Sequence, residues 1–443
     1  MQTHAPRAAF AFLTAFLASL LAAGNAAGQF QIDQPPIDYA RAPHRDPAAN
    51  LQQRLEQGKA KLEHDSERGY LVALLRELGI SEKSQTLVFS KTSFQRNKIS
   101  PQRPRAIYFS DDSYVGFVQD GDVLEIASVD PRLGTIFYSL DQAKTDRPAL
   151  VRQTDDCLQC HASSMTQGVP GQLVRSVFPN SSGNPILTAG SFRTTWQSPF
   201  RERWGGWYVT GAHGRQRHMG NTTLRGGEPE KFDREKGANV TDLRSRFDPA
   251  PYLTPHSDIV ALMVLEHQGP AHNQLTLAGY QALLARRDQE ALNQMDGKPP
   301  SAPVESIQRR YQGIGEDVLR CLLLAGETPL TDPVRGVSGF AEHFASLGPG
   351  DAQGRSLRQL DLQKRLFKHP CSYLIYGEAF NALLEPVKTH IYRRLGEVLA
   401  GKDRSGEFSR LTAEDRRAIY EILRETKPDL ADQWRREAVR PEP

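Results

Sequence analysis

The chain has 443 residues, 24% of them charged, with 55 Lys and Arg against 52 Asp and Glu and a net charge of +3. So even a balance gives no basis for a nucleic-acid partner and too little positive charge to argue for an acidic redox partner. The length is that of two or three globular domains.

Residues 1–28 have the pattern of a signal peptide. Arg7 supplies the early positive charge, residues 8–23 are apolar except for Thr14 and Ser19, and small residues at 24–28 provide a cleavage site near Ala26 or Ala27. The apolar run is about 16 residues, short for a membrane span, and no later stretch is long enough to cross. A retained anchor is the alternative. The remaining 415 or so residues are therefore expected outside the cytoplasm, in the periplasm or otherwise exported, with peripheral membrane association left open.

Residues 29–84 read as a Pro-rich extended lead and N-terminal helices. The lead, 29–50, is expected to drape over the surface. Helices are predicted near 51–58 and 69–78, the second from the spacing of Leu71, Leu74, Leu75 and Leu78 before Gly79.

From Thr86 the period shortens to two. Runs at 87–89, 106–109, 114–118, 123–129 and 135–140 are rich in β-branched and aromatic residues. They are punctuated by Asp120-Gly121-Asp122 and by Asp130-Pro131 with Gly134. Such a pattern predicts an antiparallel meander. Strand-like sequence resumes at 173–178, 185–192 and 207–210, so an α+β domain is expected over 85–225.

Between those two groups of strands stands Cys157-Leu158-Gln159-Cys160-His161. Cys-x-x-Cys-His is an attachment signal for haem c. Cysteines three apart share one side of a helical turn and can both bond the porphyrin edge, while the adjoining histidine reaches the iron. A zinc site would need a second pair, and Cys321 and Cys371 are single and distant. A thioredoxin-like site would not require the histidine.

In these five residues and in its export signal the chain resembles the c-type cytochromes. The resemblance covers the attachment site alone. It implies one covalent haem c, iron held by His161, and a redox partner protein. The small all-helical cytochromes carry a Met ligand well downstream, and this sequence departs from that pattern. A sheet holding a haem loop is similar, at fold level only, to PAS-like haem sensors and some periplasmic mono-haem enzymes.

The sixth ligand is sought in residues 211–221, a Gly-flanked loop in which His218 ranks first, His213 second and Met219 third. A surface-loop role is the plainer reading of each. A His ligand would give a low potential and a Met ligand a higher one. Arg215 and Arg217 are candidates to pair with haem propionates, and Trp204 and Trp207 to wall the porphyrin.

Residues 226–256, with their Gly and Pro clusters, read as a linker. Residues 257–443 read as a helical domain. Its first helix is expected to stop at Gly269-Pro270, and Met263 and His267 on one face of it are alternative iron ligands, though more simply core residues. Further helices are expected near 304–324 and 340–344, from 357, over 373–384, over 387–399 and from Thr412, where Asp415 makes an approximate capping box. Pro386 and Pro428 are read as terminators. Cys321 and Cys371 pair or stay as buried thiols.

Three functions follow from different classes. The first is an electron carrier, which asks least of the sequence. The second is a haem enzyme of peroxidase type or acting on a small nitrogen compound, with His213, His218 and Arg217 as its distal groups. The third is a gas-binding haem sensor.

Overall fold

The computed structural model describes residues 32–226 and 228–439. The expected signal peptide lies outside them.

The fold is α+β. Its antiparallel strands are β1 Thr86–Val88, β2 Arg105–Phe109, β3 Ser113–Phe117, β4 Val123–Asp130 and β5 Gly134–Asp141. The two turns read from the sequence are present. Asp120 adopts a left-handed φ of 56° between β3 and β4. Between β4 and β5 the Asp130 carboxylate accepts from the backbone N–H groups of Arg132 and Leu133, both at 2.8 Å. β6 Leu150–Gln153 joins β5, and β9 Trp207–Tyr208 joins β1. The result is a seven-stranded sheet in the order β6-β5-β4-β3-β2-β1-β9. A separate hairpin pairs β7 Arg175–Val177 with β8 Ser191–Arg193.

One face of the sheet, carrying Ala106, Tyr108, Val115, Phe117, Ile126 and Tyr138, is sealed by the N-terminal segment and by residues 240–253. The lead does not lie loosely on the surface. Ile37, Tyr39 and Ala42 are buried, and Tyr39 donates its hydroxyl hydrogen to the Thr135 carbonyl at 2.8 Å. Helix α1 Pro47–Glu56 follows, capped by the buried Asp46, and then α2 Leu71–Glu77. The stretch expected to be a linker has one short 3-10 turn, Pro229–Lys231, among its described residues, yet buries Leu243, Phe247 and Tyr252. Each such side chain contributes about 1.5–3 kcal/mol on leaving water. Their wide spacing hides them from any periodic reading.

After the short α3 Asp156–His161, the opposite face receives α4 Ile259–Met295. α4 starts beside β9, where Ile259 N donates to Thr210 O at 2.9 Å. It ends its passage at the β4–β5 turn, where Tyr280 donates to Leu133 O at 2.8 Å. The predicted stop at Gly269-Pro270 is overturned, because the helix runs through Pro270. An interior proline costs about 3 kcal/mol. The buried run over Ile259, Val260, Leu262, Val264 and Leu265 alone outweighs that.

Helix α5 Glu305–Leu322 packs back on α4, and α6 Phe340–Ala345, α7 Glu378–Asn381, α8 Glu385–Leu399, α9 Ala413–Thr426 and α10 Pro428–Arg436 complete the chain. The Thr412–Asp415 capping box is present. Pro386 and Pro428 open helices rather than closing them, because proline suits the first turn, where its missing N–H has no partner to lose. Residues 357–367 are irregular, with Leu360 bridged to Phe367. One hydrophobic cluster joins Val88, Phe109, Tyr114 and Trp207 of the sheet to α4 and on to Trp434. Sheet and helices therefore share a core.

Candidate functional site

The chain leaves the edge strand β6 and turns at once into α3, which carries the motif. Cys157 is half-buried and Cys160 exposed, and both are free thiols. Burial pushes the Cys157 thiol up to about 11. His161 ends the helix with its ring 4.9 Å, centroid to centroid, from Phe137 of β5.

The histidine's hydrogen bond decides its chemistry. His161 Nδ1 lies 2.9 Å from the Gly171 carbonyl oxygen. A carbonyl only accepts, so Nδ1 carries the proton and Nε2 keeps its lone pair. Burial also holds the imidazole pKa below its ordinary value, which favours the neutral, ligating form. Gly171 N donates back to His161 O at 2.8 Å.

That loop is fastened to α4. Asn273 Oδ1 accepts from Gln172 N at 2.8 Å, and Asn273 Nδ2 donates to Gln172 O at 2.7 Å. Glycine is needed at 171 because a Cβ there would stand 2.1 Å from Asn273 Oδ1.

Beside the motif the strand register lines up Ile107, Gly116, Glu125, Ser139 and Val151 across five strands, on the same face as Phe137. Val151 is 55% exposed. Phe94, 70% exposed, stands between Ser93 and Gln95, whose side chains donate to Glu125 at 3.2 and 3.1 Å. Arg105 crosses Gly116, where a Cβ would come within 2.4 Å of its Nη2, and pairs with Glu125 at 2.6 Å. Its buried Nε has no partner. Arg105 and Glu125 are close enough for their charges to act on Cys157 and His161. A half-bare strip with an apolar rim thus adjoins the two thiols and the free Nε2.

The other predicted residues lie elsewhere. His213 uses both nitrogens, Nδ1 donating to Gln216 O at 2.9 Å and Nε2 accepting from Asn239 N at 2.9 Å. His218 Nδ1 accepts from Gly220 N at 2.9 Å, which leaves its proton on a buried, unpartnered Nε2. Met219 is fully buried, with its sulfur 3.7 Å from Ser176 Oγ. This segment runs beside β9, since Asn221 N donates to Trp207 O at 2.8 Å. From β5 to β9 is five strand spacings, about 24 Å. The structure does not bring His213, His218 or Met219 together with His161.

Arg215 is 91% exposed, and Arg217 pairs with Glu235 at 2.7 Å. Trp204 donates to Glu266 at 3.0 Å, and Arg203 pairs with the same buried carboxylate. Met263 is buried, and His267 is a core residue whose Nε2 meets Ser372 Oγ at 2.8 Å. Among the described residues no group of three or more His, Cys, Asp or Glu is arranged as a metal cluster. Cys321 and Cys371 are buried free thiols, each pushed up to about 12 by burial. The residues missed by sequence reading are Gly171, Asn273, Arg105 and Glu125. Each acts through a partner distant in sequence, and none carries a local signal.

The fold and site define an α+β protein with a Cys-x-x-Cys-His helix set against an antiparallel sheet. The chain matches no known family, no curated protein and no solved structure.

Proposed function

We propose that the protein is an exported mono-haem c-type cytochrome that passes electrons through a covalently attached haem. The observation that carries this is the His161–Gly171 hydrogen bond, which frees Nε2 next to two unpaired thiols on one helical turn. The residues fit the group. Cys157 and Cys160 would form the thioethers, His161 would be the proximal ligand, and the strip with Val151 and Phe94 would be covered by the porphyrin.

When bound, haem c supplies a one-electron couple at iron. The chain's part is electrostatic and positional. Gly171 O holds the His161 ring and would make it a stronger donor to iron. Asn273 holds Gly171, and Arg105 with its unpartnered Nε is suited to a propionate. The partner is a redox protein. Export rests on residues 1–28, and among the described residues no helix is long and apolar enough to cross a membrane.

A second reading, a haem enzyme or sensor with an open distal position, is favoured by one observation: the three candidate sixth ligands stand at the other edge of the sheet. Two measurements test both readings. Haem should stay with the chain in a denaturing gel, and its attachment should be abolished in the Cys157→Ala, Cys160→Ala double variant. Retention of haem by that variant would refute the attachment. A low-spin spectrum unmoved by carbon monoxide then supports a carrier, and ready carbon monoxide binding after reduction supports an open iron.

A further inference from the structure

Where the β2–β3 turn meets the helical half there is a cleft of about 380 Å³, within the size range of small-ligand sites. None of the motif residues lines it. Part of its wall is aromatic, with the Phe340 ring centroid 5.6 Å from that of Phe109 and 5.8 Å from that of Phe344. Leu347, 40% exposed, adds apolar surface.

Four residues of the lining can carry charge: Asp111, Asp112, His343 and Arg358. Asp111 and Arg358 pair with each other. Arg358 is held in the wall, its side chain 6% exposed and its guanidinium carbon 4.2 Å from the Tyr373 ring centroid. Burial holds the His343 imidazole below its ordinary value, which favours the neutral ring. That leaves Asp112. It is partly exposed where it lines the cleft, and among the described residues its carboxylate has neither an ion pair nor a hydrogen bond. Burial pushes its carboxyl above the ordinary value; Asp111 and Glu378 add to the effect, and His272 and Arg358 oppose it.

A carboxylate so placed is short of positive charge. A metal ion takes six or more oxygen ligands when it is calcium or magnesium, and among the described residues no group of three His, Cys, Asp or Glu is arranged to hold one. An organic ammonium needs a single carboxylate, and aromatic rings attract it as well.

We infer that this cleft binds a small organic monocation, its ammonium on the Asp112 carboxylate and its apolar body against Phe109, Phe340 and Leu347. The site stands independently of the haem reading.

The test is fluorine NMR of 4-fluorobenzylamine, protonated at pH 7, titrated with the full-length protein. Saturable broadening is expected, reversed by benzylamine and not by benzyl alcohol, which has its shape without its charge, nor by calcium ion. Asp112→Asn keeps the side chain's shape, removes its charge and should weaken binding about tenfold or more. Leu347→Trp, at an exposed position outside the core, should obstruct the cleft, which keeps the test valid if the Asp112 variant does not fold. Absence of saturable binding, binding undiminished in either variant, or displacement by benzyl alcohol or calcium as readily as by benzylamine would each overturn the inference.

Discussion

Replacing Gly171 by alanine tests the link between α4 and His161. The added Cβ would stand 2.1 Å from Asn273 Oδ1 and 2.6 Å from its Cγ. Asn273 then has to swing away from Gln172, or Gly171 has to move with its carbonyl. The first outcome breaks two hydrogen bonds and lowers stability by about 2 kcal/mol. Either outcome loosens the His161 Nδ1 bond to Gly171 O. On the haem reading, that bond would make the imidazole a stronger donor and so favour oxidised iron. Losing about 1 kcal/mol of that preference raises a one-electron potential by about 40 mV, since a factor of ten corresponds to about 59 mV. Spectroelectrochemical titration of the wild type and the variant measures it. A potential within about 10 mV of wild type, in a variant with its haem attached and Asn273 displaced, would refute the reasoning. Asn273→Ala in the same background removes the clash, so the alanine at 171 should then lower stability less than it does alone.

Other expectations follow from the same contacts. Glu266→Leu leaves the buried Arg203 guanidinium without its carboxylate and should destabilise the fold by about 3–5 kcal/mol in urea unfolding; a loss under about 1 kcal/mol would show that the pair is not needed. Asp46→Ala removes the acceptor for Ala48 N, Ala49 N and Tyr138 OH, at 3.0, 3.1 and 2.7 Å, and should lower stability by about 2–3 kcal/mol, read by chemical denaturation. Acid should weaken the protein. Burial holds His267 down to about 3 and His369 to about 4, whereas the unfolded chain takes those protons near 6.5. Stability from each is full above that value and falls as pH drops, by about 2 kcal/mol each at pH 5. Calorimetry should find a lower Tm at pH 5 than at pH 7.5, and equal values would contradict the assignment.

What could be read from the sequence was local. The meander showed itself because alternation and turn residues operate within a few positions of one another. The Thr412 cap and the motif at 157–161 are equally short-range. β6 was missed because four residues, Leu150–Gln153, are too few to show a period, and β5 recruits them. α4 was cut short because Pro270 is a local breaker, whereas the burial that carries the helix through it comes from the sheet and from α5. For the same reason the motif was legible but its setting was not. Gly171 and Gln172 depend on Asn273, about a hundred positions away, and the strip beside the motif exists only once five strands are in register. His218 and Met219 looked available in sequence because a Gly-flanked loop resembles a surface. In the fold they fill the space behind β9.

The four cysteines end in two chemically different classes, and the polypeptide does the sorting by folding. In the unfolded chain all four thiols are equivalent to any electrophile or oxidant. Once folded, Cys321 and Cys371 sit in apolar surroundings that suppress the thiolate, the reactive form. Cys371 is fully buried and Cys321 only 6% exposed, whereas on α3 Cys157 is half-buried and Cys160 exposed. Thiol chemistry on the native protein is thereby favoured on one helical turn, and there at the exposed Cys160 ahead of Cys157, whose thiol burial also pushes up.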